Sequence, residues 1–220
     1  MKQSSFLLLS LFALAFFPKN AAAQVRYGLK AGAQVASIHY HLALPFTSTA
    51  PLPTFLIGAL GEYETSKNLV LSAGLQVAGG GGISKFEDAV DRYSIENRFS
   101  VLYAQLPVMA RAQHRGFSVG AGLYAGMAFW GRKKITSDFG NGPKVDRSDI
   151  RFGTGEDANL ARFDWGALAE AGYSFRNFRV AAHYWLGLAN VLPEYYRSNG
   201  DSAQNRAYGA SLTYFLGEGE

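Results

Sequence analysis

Apolar residues recur at every second position in eight separate stretches of this 220-residue chain. A period of two marks β-strands with two unlike faces. The stretches are Val25–Ser37, Thr54–Glu64, Leu69–Ala78, Phe99–Ala112, Phe117–Trp130, Arg162–Phe175, Phe178–Ala189 and Arg206–Leu216. In the first, Val25, Tyr27, Leu29, Ala31, Ala33 and Val35 share one face, against Arg26, Gly28, Lys30, Gly32 and Gln34. Eight alternating strands without helical periodicity predict an all-β, antiparallel, up-and-down barrel.

The connections alternate as well. Thr65–Asn68, Gln113–Gly116 and Arg176–Asn177 are tight hairpin turns. Ile38–Pro53, Gly79–Arg98, Gly131–Ala161 and Asn190–Asn205 are long polar connections. Short turns at one end and long loops at the other is the arrangement of a transmembrane barrel, with periplasmic turns and extracellular loops. Met1–Gln24 supplies the matching address. Lys2 begins it, Phe6–Phe17 is an apolar run, Pro18 and Asn20 break that run, and Ala21-Ala22-Ala23 offers small residues for cleavage before Gln24. Residues 1–23 are thus expected to be a cleaved signal peptide and 24–220 the barrel domain. No later stretch reaches the roughly 18 uncharged apolar residues of a membrane helix, so a membrane-embedded form must be a closed barrel.

Which face meets lipid follows from residue size. The polar face carries Gly28, Gly32, Gly58, Gly74, Gly120, Gly122, Gly126, Gly166, Gly172, Gly187 and Gly209. Glycine suits a crowded lumen where eight strands converge and makes little sense facing water. The bulky face suits acyl chains. Its rings Phe117, Phe129, Phe163, Trp165, Tyr173, Phe175, Tyr184, Tyr208 and Tyr214 are the expected aromatic girdle. On the sixth stretch the two aromatic pairs lie about ten residues apart, or roughly 25 Å of height at a tilt near 40°. Only 17% of residues are charged, which excludes a disordered chain. Without Lys2 and Lys19, 19 cations face 17 anions; this balance does not point to nucleic acid. Cysteine is absent, which excludes disulfides, thiolate metal sites and a lipoprotein anchor.

The opening VRYGLKAGAQVAS, the later VLYAQLPVMARA, GFSVGAGLYAGM and FRVAAHYWLGLANV, and the closing YGASLTYFL resemble the PorT-like outer-membrane β-barrel family of Bacteroidota. Gln105-Leu106-Pro107 and Asn190 are among the matching residues. The resemblance implies an eight-stranded barrel in the outer membrane, both termini periplasmic. The last strand resembles the signal that barrel-assembly machinery reads, although Leu216 and a short tail follow Tyr214 and Phe215.

The polar face also carries ionic groups. Arg26, Lys30, Glu62, Glu64, Gln76, Gln105, Arg111, Asp164, Glu170, Arg179 and His183 share its parity. Charges in so narrow a space need partners, so a salt-bridged plug is expected. A narrow porin-like channel, an accessory barrel of a secretion system and a lipid-modifying enzyme are the alternatives. The last would need His183 beside Ser174 or Ser211. His39-Tyr40-His41 lacks a third metal ligand, Gly79–Gly82 followed by Ser84-Lys85 lacks a phosphate-loop order, and Asp138-Phe139-Gly140 stands without other kinase elements. Asp138, Asp146, Asp149, Glu156 and Asp157 lack calcium-loop spacing. No catalytic residue, metal or cofactor is assigned. The expected partners are outer-membrane lipid and lipopolysaccharide, with protein or glycan contacts through loops 131–161 and 190–205, and the barrel is expected to be a monomer.

Overall fold

The structure, a computed structural model, describes residues 25–41, 47–88, 93–138, 142–197 and 200–216. The expected signal peptide, residues 1–23, lies outside them. Ten strands run through the described residues: β1 (Val25–His41), β2 (Thr47–Ala50), β3 (Leu52–Ser66), β4 (Leu69–Asp88), β5 (Tyr93–His114), β6 (Phe117–Asp138), β7 (Lys144–Asp149), β8 (Phe163–Phe175), β9 (Phe178–Gly187) and β10 (Ser202–Leu216). Eight of them form an antiparallel ring in the order β1-β3-β4-β5-β6-β8-β9-β10. It is closed by β1 on β10, from Tyr27 opposite Leu216 to His41 opposite Ser202. Closure leaves no sheet edge in the wall.

The register fixes the size and tilt of the ring. Ala36 pairs Ala207, Ala207 pairs Trp185, Trp185 pairs Leu168, and Leu168 pairs Gly122. Gly122 pairs Met109, Met109 pairs Ser72, Ser72 pairs Glu62, and Glu62 pairs Arg26. One circuit therefore returns to β1 ten residues below its start. A stagger of ten over eight strands tilts them about 40° and leaves a lumen that side chains fill. The alternation of the sequence becomes two surfaces. Leu29, Leu75, Val108, Val119, Leu123 and Leu212 face out, while Lys30, Gln76, Arg111, Glu170 and His183 are buried.

The strands approach closely where the inward face carries glycine. A Cβ at Gly122 would collide with the Val108 carbonyl oxygen, and one at Gly166 with that of Leu186. At Gly61, on the outward face, the nearest atom is Tyr27 Cε1 at 3.7 Å. Gly122→Val and Gly166→Val are accordingly expected to destabilise the barrel by about 2–3 kcal/mol through overpacking, and Gly61→Ala by less than about 0.5 kcal/mol. Urea titration of the folded band on unboiled gels checks the contrast. Pro107 has a related effect. It has no N–H for the ladder, and the β4–β5 pairing lapses between Ala73–Val108 and Gln76–Gln105 with the register unchanged.

All four expected long loops are corrected; in Ile38–Pro53, β1 runs on to His41, Thr47–Ala50 is β2 and β3 already starts at Leu52. Gly79–Asp88 and Tyr93–Arg98 are strand: β4 and β5 stay paired above the wall, with Gly79–Gly82 opposite Leu102–Phe99 and Phe86 opposite Ile95. Glycine permits this because Gly81 has φ +109°, and a Cβ there would strike the Phe99 carbonyl. The Lys85–Glu96 ion pair at 3.4 Å lies between register partners farther up. Gly131–Ala161 likewise begins as strand, because β6 continues to Asp138 and pairs with β7. The last connection is shorter than expected, since β10 starts at Ser202. Asp138 ends β6, and Phe139-Gly140 lies outside the described residues.

A bulge marks where β6 leaves the wall. Leu102 pairs Trp130 but Tyr103 pairs Ala128, which leaves Phe129 as the extra residue. The bulge switches the parity of the strand. Phe129 and Trp130 both face outward, at 52% and 43% exposure, and Gly131 turns inward.

Candidate functional site

Among the described residues the buried polar side chains are concentrated in the lumen, where they fall into layers. The layer nearest the short turns is ionic. Glu62 of β3 is fully buried and receives three guanidiniums. Arg179 of β9 forks onto it, with Nη1 donating to Oε1 at 2.5 Å and Nη2 to Oε2 at 2.9 Å. Arg111 of β5 donates from Nη1 to Oε1, and Arg26 of β1 from Nη2 to Oε2 at 3.3 Å. Arg111 also reaches Glu170 of β8 from Nη2 at 3.0 Å, and Lys30 donates to the other oxygen of Glu170 at 2.5 Å. The result is one chain, Arg26–Glu62–Arg111–Glu170–Lys30, with Arg179 forked onto Glu62. It ties together five strands, and some partners are 140 residues apart.

Phe215 of β10 completes the layer. Its buried ring lies between Arg26, at 4.5 Å from the centroid, and Arg179, at 4.8 Å. Cation–π contact holds two guanidiniums that would otherwise repel. Glu64 stands at the rim, 3.9 Å from Arg26. Four cations thus meet two buried carboxylates, with Glu64 as a third acid at the mouth.

Above this layer the lumen narrows to an apolar waist of Met109, Tyr124, Leu168 and Trp185. The Tyr124 and Trp185 rings meet edge to face with centroids 4.9 Å apart. Above the waist the groups are polar but mostly neutral. Gln76 donates to Gln105 at 2.9 Å, and Gln34 to the Gly79 carbonyl at 2.8 Å. Asp164 Oδ2 accepts from the Tyr124 hydroxyl at 3.1 Å and from Asn205 Nδ2 at 3.0 Å, and that same nitrogen lies 3.0 Å from the Tyr103 hydroxyl. A lid follows. Ile150, Leu160 and Val191, from the connections flanking β8 and β9, pack on Ile38, Val101, Ala128 and Ala203. Main-chain bonds pin it: Ala161 N–H donates to Val191, Val191 to Ala203, and Ile150 to Gly131.

Two small voids remain in the lumen. One, of about 20 Å³, is lined by Gln34, Gln105, Tyr124, Asp164, Trp185 and Asn205 among others. The other, of about 30 Å³, touches Lys30, Gln76, Met109, Arg111 and Trp185. Each has room for one or two waters. Trp185 borders both.

The structure therefore places Arg26, Lys30, Glu62, Arg111, Glu170 and Arg179 in one network, and Gln76 with Gln105 and Asp164 in a separate layer. His183 is buried beside Glu170 in the register, yet among the described residues neither ring nitrogen finds a hydrogen-bond partner. Ser174 accepts from Arg179 Nε at 3.1 Å, and the buried Ser211 hydroxyl has no hydrogen-bond partner among the described residues. Sequence reasoning missed Gln34, Tyr103, Tyr124, Trp185, Asn205 and Phe215 as members of the site. All but Asn205 lie in stretches already read as strands, on the inward parity. Asn205 continues the parity of Gly209, Ser211 and Thr213, a signal hidden by reading it as loop.

Of the rings expected in the girdle, Phe117, Tyr173, Phe175 and Tyr214 stand near the turn end, and Phe129, Phe163 and Trp165 near the loop end. Phe117 packs on Tyr173 at 4.8 Å. Tyr184 and Tyr208 pair with each other, and Tyr184 also pairs with Ala169 in the middle of β8. Both therefore sit between the two rings of aromatics. His39 and His41 meet edge to face at 4.7 Å. Among the described residues no three ligating side chains gather.

Solved structures with a similar course include Neisserial surface protein A, at 10% identity and TM-score 0.46, covering 86% of this chain and 96% of that one. Ail, the attachment invasion locus protein of Yersinia pestis, is similar at 12% identity and TM-score 0.42, over 88% and 99% of the two chains. OprG of Pseudomonas aeruginosa is similar at 12% identity and TM-score 0.40, over 88% and 97%. No curated protein matches the sequence. The family described as outer membrane protein beta-barrel domain matches residues 18–192, most of the chain, and this closed ring with an apolar outer face and a filled polar lumen belongs to it.

Proposed function

We propose that this protein is a sealed, non-enzymatic barrel of the outer membrane, whose wall is structural and whose loop end carries its contacts. The observation that carries the reading is the lumen in section: an ionic layer, an apolar waist, an amide layer and a lid, with voids of only about 20 and 30 Å³ between them. A hydrated ion finds no continuous path through such a stack. The loop end, by contrast, presents side chains outward. Tyr195 and Tyr196 are exposed and meet edge to face at 5.1 Å, rings of the kind that suit a protein or glycan partner. The resemblance to PorT-like barrels supports grouping the chain with them, and a cleaved leader at 1–23 would deliver it.

Purified barrel in planar bilayers is expected to give no resolved current steps under applied voltage. Reproducible single-channel openings would overturn the sealed reading in favour of a narrow channel.

A further inference from the structure

Above the bulge at Phe129, the outward face of β5, β6 and β7 carries a row of cations. The register sets Arg98 opposite Lys134, and Lys134 opposite Arg147. Neighbours in such a row have Cβ atoms about 5 Å apart, and like charges directly opposite destabilise a sheet. Arg132 lies one pleat lower on the same face, opposite Asp149, with its guanidinium 5.7 Å from the Trp130 ring centroid. Of the acids on this face, Asp149 lies 3.9 Å from Arg132 and Glu96 3.4 Å from Lys85, and Asp138 ends β6 four residues beyond Lys134, opposite Ser94. Among the described residues Arg98, Lys134 and Arg147 make no ion pair.

The depth of the row identifies what would neutralise it. Phe129 and Trp130 are the last outward rings of β6. Arg132 and Lys134 follow two and four residues later, about 5 and 10 Å above Trp130 at the strand rise and tilt of this barrel. A headgroup layer is about 5–7 Å thick on each side of the hydrocarbon. The row thus stands in or just above the headgroups and faces the surrounding lipid. The parity switch at the bulge is what turns Arg132 and Lys134 outward, to the side of the rings below them.

We infer that Arg98, Lys134 and Arg147, with Arg132, form a binding site for the phosphate groups of outer-leaflet lipopolysaccharide. Each added phosphate would be shared by adjacent cations, removing the repulsion the register imposes and adding charge-assisted hydrogen bonds. This rests on the outer-membrane placement and not on closure of the lumen, so a conducting barrel would leave it intact.

The test places the barrel in phosphatidylcholine nanodiscs and titrates labelled lipopolysaccharide, or the same glycolipid stripped of its lipid A phosphates. Wild type is expected to retain the phosphorylated form. The triple variant Arg98→Gln, Lys134→Gln, Arg147→Gln is expected to bind it about a hundredfold more weakly. Lys144→Gln, on the opposite face of β7, should leave binding unchanged. Arg98→Lys with Arg147→Lys keeps the charges and should keep the binding, with gel mobility of unboiled samples reporting that each variant is folded. Equal binding by the triple variant, or equal binding of the phosphate-free glycolipid, would overturn the assignment. So would full displacement by soluble heparin with no dependence on the acyl chains, which would make the row a site for external glycans.

Discussion

Replacing Glu62 by alanine is expected to cost this barrel about 5 kcal/mol, enough to abolish the folded band in moderate urea. Among the described residues Glu62 is the one carboxylate paired with Arg179 and the one buried carboxylate on Arg26, whose other acid is Glu64 at the rim, and it shares Arg111 with Glu170. Its loss would leave guanidiniums buried without a counter-charge. Breaking a buried pair from one side costs roughly 3–5 kcal/mol, and here one carboxylate serves three partners. Glu62→Gln is the sharper variant: it keeps the volume and an acceptor oxygen but removes the charge, and should be nearly as harmful. Asp164→Asn provides the contrast. Asp164 is also buried, but its described partners are the neutral Tyr124 and Asn205 side chains, so the change should stay within about 1 kcal/mol. If Glu62→Gln unfolds within 1 kcal/mol of wild type, the ionic layer is not what holds the turn end together.

The same layer shows what could be read from sequence and what could not. Parity alone places Arg26, Lys30, Glu62, Arg111, Glu170 and Arg179 on one surface, because a strand has only two sides. It does not say who meets whom. Lys30 and Glu170 come together only because the ring closes with a stagger of ten, and that number is set by the registers between all eight pairs of strands. The upper part was least legible. Phe129 bulges out of the β5–β6 ladder, and one extra residue reverses the side of everything after it, so Trp130 and Arg132 face opposite to a strict alternation. The continuation of β4 and β5 past the membrane was hidden by Gly79–Gly82, which reads as a loop but serves close packing. The lid was hidden for another reason. Ile150, Leu160 and Val191 are isolated apolar residues in polar connections, with no period to mark them, and they become a core only when two connections fold over the same opening.

The waist gives the second large effect. Trp185→Ala is expected to destabilise the barrel by about 3–5 kcal/mol, the range for removing a buried ring from a packed site. The ring borders both small voids, so its removal would merge them into one cavity, and Lys30, Gln76, Gln105 and Asp164 on its walls would give entering water polar partners. Trp185→Phe should cost less than about 1.5 kcal/mol, because it keeps a ring against Tyr124 and because Nε1 donates to no acceptor among the described residues. In planar bilayers neither variant is expected to conduct. The Glu62 layer lies below the merged cavity and the Ile150–Leu160–Val191 lid above it, and barriers in series must all be open for ions to pass. Urea midpoints and current traces on the same preparations separate the possibilities. A stable Trp185→Ala barrel would show that the waist contributes little packing. Current steps in that variant alone would show that one ring, and not a stack of layers, seals the lumen.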